Sequence, residues 1–384
     1  MKVAVLGYGT VGAGVYSMLS DAPGMEAGPV LVRPGKAVES FMVSDAALIF
    51  GDPTVDAVVE TLGGLDPAYS YGMRALEAGK HFITANKAMV ASHGLELAAL
   101  AREKGAAFLF SAACGGGVPF LHNLALSAET DRIEAVSGIL NGTTNYMLDA
   151  MQRRGLSYGD ALREAQSLGY AESDPTADVS GLDALRKMQL ACAVAFGVLP
   201  QSGMLCEGME HFTAADVEDI QSRGLVCRLI ASGCRAGESV SAYVEPVLFP
   251  RAAPESSVFT NNNMARYTGK RCGSIVLMGQ GAGRFPTASA VLRDLSAAQQ
   301  GARSMFPENC RAAEADNREA VHSYYIRTGG FAAVRLPLRS VLAQGEVVRA
   351  VTEPMSSEKM HALAQNIRKD GNDLFFAALE EELC

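Results

Sequence analysis

A short apolar, β-branched run, KVAVL over residues 2–6, leads directly into Gly7-Tyr8-Gly9-Thr10-Val11-Gly12, and a helical pattern follows through Leu19. This order of strand, glycine loop and helix constrains the chain more than any other feature. Gly7 permits the tight turn, Gly9 lets backbone approach a pyrophosphate, and Gly12 lets the helix pack on the strand. The helix that starts at Thr10 and Val11 then turns its unpaired N–H groups toward phosphate. A glycine turn without a ligand is the alternative, and the flanking strand and helix argue against it. Strands at 29–33, 57–61, 81–84 and 107–111 alternate with helices at 68–78 and 92–104. Such alternation is the signature of a doubly wound α/β sheet of Rossmann type.

The second strand of such a sheet ends in an acidic residue when the cofactor is NAD. Here it ends in Arg33, with Lys36 nearby and no acid before Glu39. An arginine there can pair with a 2′-phosphate, which favours NADP over NAD. An arginine exposed in a loop fits the same residues.

Bulk properties exclude several classes. The 384 residues are 48% hydrophobic and 20% charged, with a net charge of −9 and no Lys/Arg run, so nucleic acid is not an expected partner. No apolar run reaches membrane-spanning length, and the N-terminal run ends in a glycine loop, not a cleavage site. A cytoplasmic protein with a small-molecule substrate and no membrane partner is expected. The eight cysteines are scattered singly with no CxxC pair, the pattern of free buried thiols.

From about residue 132 the pattern becomes α+β. A strand-like segment at 133–140 ends in NGTTNY, helices follow at 144–154, 158–168 and 179–197, and strands at 240–247 and 274–278. The expected organisation is a dinucleotide-binding domain (1–131), with a helix over 286–300 packing back on it, and a substrate-binding domain (132–285). A linker (301–320) and a C-terminal module (321–384) complete it. The module reads as five elements: strand 322–327, helix 331–343, strand 346–351, helix 357–369 and strand 374–379. Pro337 interrupts the first of its helices.

Residues 168–187, LGYAESDPTADVSGLDALRK, hold the densest chemistry. Asp183 and Lys187 are four apart and share one helix face, where a lysine held against carboxylates can serve as a positioned acid. Spacing alone favours an ordinary surface pair contributing about 0.2–0.5 kcal/mol. Asp174, before Pro175, suits a turn, and Asp178 also suits a helix N-cap.

Several segments together resemble homoserine dehydrogenase: GYGTVG (7–12), VVETLGG (58–64), TANKA (84–88), GGGVP (115–119), GILNGTTNYML (138–148), residues 168–187 and GQGAGRFPTASAV (279–291). They fall in family order over about residues 1–300. The resemblance implies NAD(P)H-dependent reduction of aspartate 4-semialdehyde to homoserine, a step in threonine, methionine and isoleucine synthesis. It implies Lys187 as proton donor or alkoxide stabiliser, Asp183 orienting it, and Lys87 as a second lysine at the cofactor–substrate junction. It further implies Glu172, Asp178 and Thr143 as substrate contacts, and Thr61 and Gly283 on the cofactor side. Asn145 is read as satisfying loop backbone. A homodimer or homotetramer is the family expectation, and with no aspartokinase-like segment before residue 1 the chain resembles the monofunctional members.

Three departures stand out. The family glutamate four residues before GGG, which helps bind a monovalent cation, is replaced by Ser111, leaving a weak Na⁺ site made of the carbonyls of Cys114, Gly116 and Val118 as the expectation. The first domain is short between its second strand and VVETLGG. The C-terminal segment resembles a degenerate or atypical ACT domain, a βαββαβ fold that binds threonine for feedback control, with Gly329-Gly330 in place of the usual acidic turn.

Overall fold

The structure is a computed structural model that describes residues 1–333 and 335–380. The chain forms two compact units. One comprises residues 1–131, 193–199 and 279–311; the other comprises 132–192, 200–278 and the chain from 312 on.

In the first unit, β1 (Lys2–Leu6), β2 (Glu26–Leu31), β3 (Met42–Val43), β4 (Ala57–Glu60), β5 (His81–Thr84) and β6 (Phe108–Leu109) form a parallel sheet in the order β3-β2-β1-β4-β5-β6. Val3 to Leu6, Ala57 to Val59, Phe82 and Ile83 have no exposed surface, the both-face burial that continuous apolar strands require. Helices α1 (Thr10–Leu19), α2 (Ala47–Phe50), α3 (Ala68–Glu77), α4 (Lys87–Lys104) and α5 (Phe120–Thr130) connect or follow the strands. Strand order reverses between β1 and β4, so the carboxyl ends of these two strands mark the switch point at which such sheets bind ligands. Helix α4 starts at Lys87 and not at 92, because Asn86 caps it: Asn86 Oδ1 accepts the Met89 N–H at 3.1 Å.

The long helix α11 (Arg284–Gln299) packs on α1. Residues 301–320 are not a linker. Met305 and Phe306 are buried, Phe306 packs against Phe110 at a ring separation of 4.8 Å, and the Arg303 carbonyl accepts from Phe108 N–H at 2.7 Å. Two apolar side chains in a polar stretch were enough to carry this segment into the core beside β6.

The second unit is built on a ten-stranded sheet. Its first strands are β7 (Ile133–Ile139), β10 (Leu225–Ala236), β11 (Ser239–Pro250), β12 (Asn262–Gly269) and β13 (Gly273–Gln280). Strands β10 and β11 form a twelve-pair hairpin, of which only 240–247 reads clearly as strand in the sequence. Helices α6 (Gly142–Arg154), α7 (Tyr158–Ser167), α8 (Thr176–Val179), α9 (Leu182–Phe196) and α10 (Ala214–Ser222) accompany it, with short strands β8 (Val198–Ser202) and β9 (Leu205–Cys206).

The C-terminal segment adds β14 (Arg311–Glu314), β15 (Val321–His322), β16 (Tyr324–Gly329), α12 (Gly330–Ala333), β17 (Leu338–Ala343), β18 (Val347–Thr352), β19 (Met355–Ser356), α13 (Ser357–Lys369) and β20 (Leu374–Leu379). Six main elements, β16-α12-β17-β18-α13-β20, stand where the sequence shows five. The expected helix over 331–343 is a single turn followed by an edge strand, since Pro337 cannot continue a helix. Nor does the segment stand apart as a module of its own. The sheet runs on without a break as β13-β12-β7-β10-β11-β20-β16-β18-β17, with β20 parallel to β11. One apolar cluster joins Ile139, Ile230, Val247 and Phe249 to Ile326, Met360, Ile367 and Phe376.

No helix among the described residues is long and apolar enough to cross a membrane. Among the described residues six cysteines carry free thiols, with Cys114, Cys192 and Cys227 buried and Cys272 exposed.

A buried acid ties α11 to the segment before the GGG loop. Both oxygens of Asp294 accept from one residue: Ser111 N–H donates to Oδ2 at 2.8 Å and Ser111 Oγ donates to Oδ1 at 2.6 Å. Burial pushes the Asp294 carboxyl up to about 7, against the opposing pull of the Ser111 hydrogen bonds and of Arg293. A carboxyl whose folded value is raised binds its proton more tightly when folded. Its stabilising contribution is therefore complete below its ordinary value of 3.8 and is lost as pH rises through about 7. Asp294→Asn can keep both contacts, donating to Ser111 Oγ while accepting the Ser111 N–H. Denaturant titrations at pH 5 and pH 8 should show the wild type losing more stability than Asp294→Asn across that interval.

Candidate active site

In the second unit the end of β7 and the N-terminus of α6 meet α8 and the first turn of α9. The i,i+4 spacing brings Lys187 Nζ to 2.7 Å from Asp183 Oδ2, with both side chains 13% exposed. Lys187 Nζ also donates to the Leu140 carbonyl at 2.6 Å. A surface pair would be solvated; this ammonium is anchored between a carboxylate and the carbonyl of the residue that follows β7.

Asn141 organises the cluster. As N-cap of α6 it accepts the Thr144 N–H through Oδ1 at 2.8 Å, which fixes the orientation of its amide. The Nδ2 group then donates to Asp178 Oδ1 at 2.7 Å and to Asp183 Oδ2 at 3.0 Å. Two carboxylates that would repel each other are held by the two N–H groups of one amide. Thr143 Oγ lies 3.1 Å from Asp178 Oδ2 and 2.5 Å from the Tyr170 carbonyl. The N-terminus of α6 adds its partial positive charge beside these anions. Two carboxylates and one ammonium leave this cluster with one net negative charge.

Sequence reasoning placed Lys187, Asp183, Asp178 and Thr143 in the site, and the structure brings them together. It does not bring Glu172 with them: that residue is exposed beyond α7, and its carbonyl accepts from Gln166 Nε2 at 3.1 Å. Asp174 closes a turn, accepting from Thr176 N–H at 3.1 Å and Oγ1 at 2.6 Å, which holds its carboxyl below the usual range. Asn145 donates to the carbonyls of Val258, Thr260 and Asn262 and so braces a loop. The residue missed was Asn141. Its signal was an asparagine directly before a helix start, in the very motif NGTTNY.

In the first unit the glycine loop leads into α1, whose N-cap, Gly9, offers no side chain to its N–H groups. The space around Gly9 is open, while a Cβ at Gly12 would overlap the Gly7 carbonyl and lie 2.7 Å from Thr61 Oγ1. Gly7 adopts a left-handed φ of +97°. These features fit a bound pyrophosphate. Thr61 acts from beneath: its hydroxyl donates to the Leu6 carbonyl at 3.0 Å and so braces the loop. Arg33 and Lys36 are both exposed just beyond β2.

A second network missed by sequence reasoning supports this cradle. Glu60, fully buried at the end of β4, accepts from Leu62 N–H at 2.6 Å, Gly63 N–H at 3.2 Å and Thr84 Oγ1 at 2.5 Å. Asn86 Nδ2 donates to the Gly64 carbonyl at 2.6 Å while its Oδ1 caps α4. Residues 61–64 and Lys87, the first residue of α4, are thereby held to one frame at the carboxyl edge of the sheet.

Gly283 is the N-cap of α11, at the end of a turn that packs on the GGG loop, where Gly117 N–H donates to the Gln280 carbonyl at 3.0 Å. Arg293 Nη2 donates to the Gly117 carbonyl at 3.0 Å. The carbonyls of Cys114, Gly116 and Val118, expected to hold Na⁺ weakly, follow a Ser111 that carries no charge and is committed to Asp294, and Arg293 brings a cationic side chain to the same loop. No cluster of three or more acidic, histidine or cysteine side chains suited to a metal occurs among the described residues.

Comparisons with known proteins identify the family. A family model described as homoserine dehydrogenase matches residues 119–296, and one described as the homoserine dehydrogenase NAD binding domain matches residues 7–111. The homoserine dehydrogenase of Synechocystis sp. is 37% identical over 319 residues, which cover 77% of this chain and 72% of that protein. That of Corynebacterium glutamicum is 38% identical over 314 residues, covering 76% and 70%. Among solved structures, a homoserine dehydrogenase from Thiobacillus denitrificans superposes with a TM-score of 0.87 at 29% identity, covering 99% of this chain and 98% of that one. The S. aureus enzyme superposes with a TM-score of 0.77 at 27% identity, covering 100% and 99%. With family models matching both halves and relatives 37–38% identical over most of its length, the chain belongs to the homoserine dehydrogenase family.

Proposed function

We propose that Lys187 is the acid of the homoserine dehydrogenase reaction and that Asp183 and Asn141 set its position. The observation that carries this reading is the anchoring of Lys187 Nζ between Asp183 Oδ2 and the Leu140 carbonyl, at 2.7 and 2.6 Å. A bound nicotinamide dinucleotide supplies the hydride that the aldehyde carbon of aspartate 4-semialdehyde receives. Negative charge then develops on the carbonyl oxygen, and a lysine N–H held in place stabilises it and delivers the proton that makes the hydroxyl of homoserine. In the oxidative direction the same group takes up the hydroxyl proton.

The substrate carries an α-ammonium, and the net negative charge of the Asp178–Asp183–Lys187 cluster suits it. Asp178 and Thr143 are assigned to holding the amino acid, and Glu172, exposed here, to closing on it from outside the cluster. In the other unit Gly7, Gly9, Thr10, Val11 and Gly12 are assigned to the pyrophosphate, with Thr61 bracing them, Gly283 approaching the cofactor from the α11 turn, and Lys87 at the sheet edge. Arg33, exposed past β2 with Lys36 beside it, supports a preference for the 2′-phosphate of NADP. A homo-oligomer and a place in threonine, methionine and isoleucine synthesis follow from the same reading.

Three measurements test these assignments. NADP⁺ reduction with L-homoserine at alkaline pH should fall in kcat by at least about a hundredfold in Lys187→Ala, the scale of a lost acid or base; an unchanged rate removes Lys187 from the mechanism. KM should be lower for NADPH than for NADH, and a clear NADH preference would count against Arg33. Dialysis into a buffer free of Na⁺ and K⁺ should leave the rate unchanged, whereas recovery only on adding back either ion would restore a cation to the GGG loop.

A further inference from the structure

The segment 205–209 has no part in the chemistry described above, yet it is interlocked with the segment that carries the site carboxylates. Cys206 Sγ donates to the Ser180 carbonyl at 3.0 Å, and Met209 N–H donates to the Val179 carbonyl at 3.0 Å. Between them, Gly208 lies so close that a Cβ there would overlap the Val179 carbonyl and stand 2.7 Å from Ser180 Cα. Residues 179–182 are the short connection from Asp178 to Asp183. Whatever moves 205–209 therefore moves both carboxylates that Asn141 bridges.

Glu207, at the centre of this strap, is nearly buried, and its N–H donates to the Val244 carbonyl of β11 at 2.8 Å. Its carboxylate is gripped from the C-terminal segment. Arg368, in the last turn of α13, donates through Nη1 to Oε2 at 2.9 Å and through Nη2 to Oε1 at 2.7 Å. The same guanidinium also donates to the Leu374 carbonyl, at 2.7 Å from Nη2 and 3.2 Å from Nε, at the start of β20. A bidentate fork of this kind fixes direction as well as distance, which a lysine in its place would not do. The pair sits where α13 rests on β9, with Arg368 stacked over Phe376 of the core cluster.

We propose that Glu207 and Arg368 are positioning residues for the reaction: the C-terminal βαββαβ segment, through this ion pair and the strap 205–209, holds Asp178 and Asp183 in register with Asn141. The proposal rests on the site reading above. Its consequence is that the C-terminal segment is a working part of the amino-acid pocket, separate from any effector it binds.

Glu207→Gln, Arg368→Lys and Arg368→Ala test it, measured for kcat and for KM toward both L-homoserine and NADP⁺. The expected result is a loss of about ten- to hundredfold in kcat/KM for homoserine, the scale of a small misplacement of site groups, with KM for NADP⁺ unchanged. Glu207→Gln combined with Arg368→Ala should be no worse than the poorer single variant, because one link is broken either way. Glu207→Gln and Arg368→Lys are close in shape to the native pair and serve if Arg368→Ala fails to fold. A lowered Tm with unchanged kcat and homoserine KM in these variants would overturn the proposal and leave the pair a purely structural tie. Asp183→Asn run in parallel separates the two readings: its failure to impair turnover sinks the site assignment, whereas its loss of activity beside intact Arg368→Lys and Glu207→Gln sinks the positioning role alone.

Discussion

One amide holds the candidate site of the second unit together. Asp178 and Asp183 lie on different helices, and each is an anion that would repel the other at hydrogen-bond range. Asn141 donates one N–H to each, and can do so only because its oxygen is occupied by the N–H of Thr144. A helix cap, ordinarily worth about 1 kcal/mol, thus becomes the device that sets the spacing of two carboxylates. The lysine follows from that spacing, since Asp183 Oδ2 is shared between Asn141 and Lys187. Glutamine would be too long and aspartate would add a third charge, so the position admits few alternatives.

The cofactor half follows a similar logic with a different residue. Glu60 ends a central strand and is wholly buried, a costly place for a carboxylate unless donors surround it. Two backbone N–H groups and the Thr84 hydroxyl supply them. The turn after β4 and the turn after β5 are thereby tied at the edge where the sheet binds its ligand. In each half, a polar residue at the end of a strand turns loop backbone into rigid scaffold.

Much of this was legible in the sequence, and the exceptions have physical causes. Short parallel strands of the first unit read clearly because they are apolar on both faces and bounded by glycine. The cluster at 168–187 read clearly because charged residues are dense there and the i,i+4 spacing is a helical one. Asn141 and Glu60 did not, because a residue's value as a bridge depends on partners 24 to 42 positions away. The long β10–β11 hairpin was half hidden, since its buried polar residues, Arg228, Ser232 and Glu245, break the apolar pattern. Helix α12 and strand β17 merged into one apparent helix, an error that Pro337 signalled. The stretch 301–320 looked like a linker because its two anchoring residues, Met305 and Phe306, are few among many polar neighbours.

The ten-stranded sheet has an unusual order of assembly built into it. Strand β20, the last element in chain order among the described residues, lies between β11 and β16 and is the piece that joins them. Every contact it makes there is distant in sequence from β11, and such pairings form slowly. Until Leu374–Leu379 is in place, the sheet presents two open edges within its interior, each lined with unpaired N–H and C=O groups. Open edges of that kind are templates for pairing with other chains. A newly made chain is therefore most open to misassociation during the interval before β20 pairs on both sides.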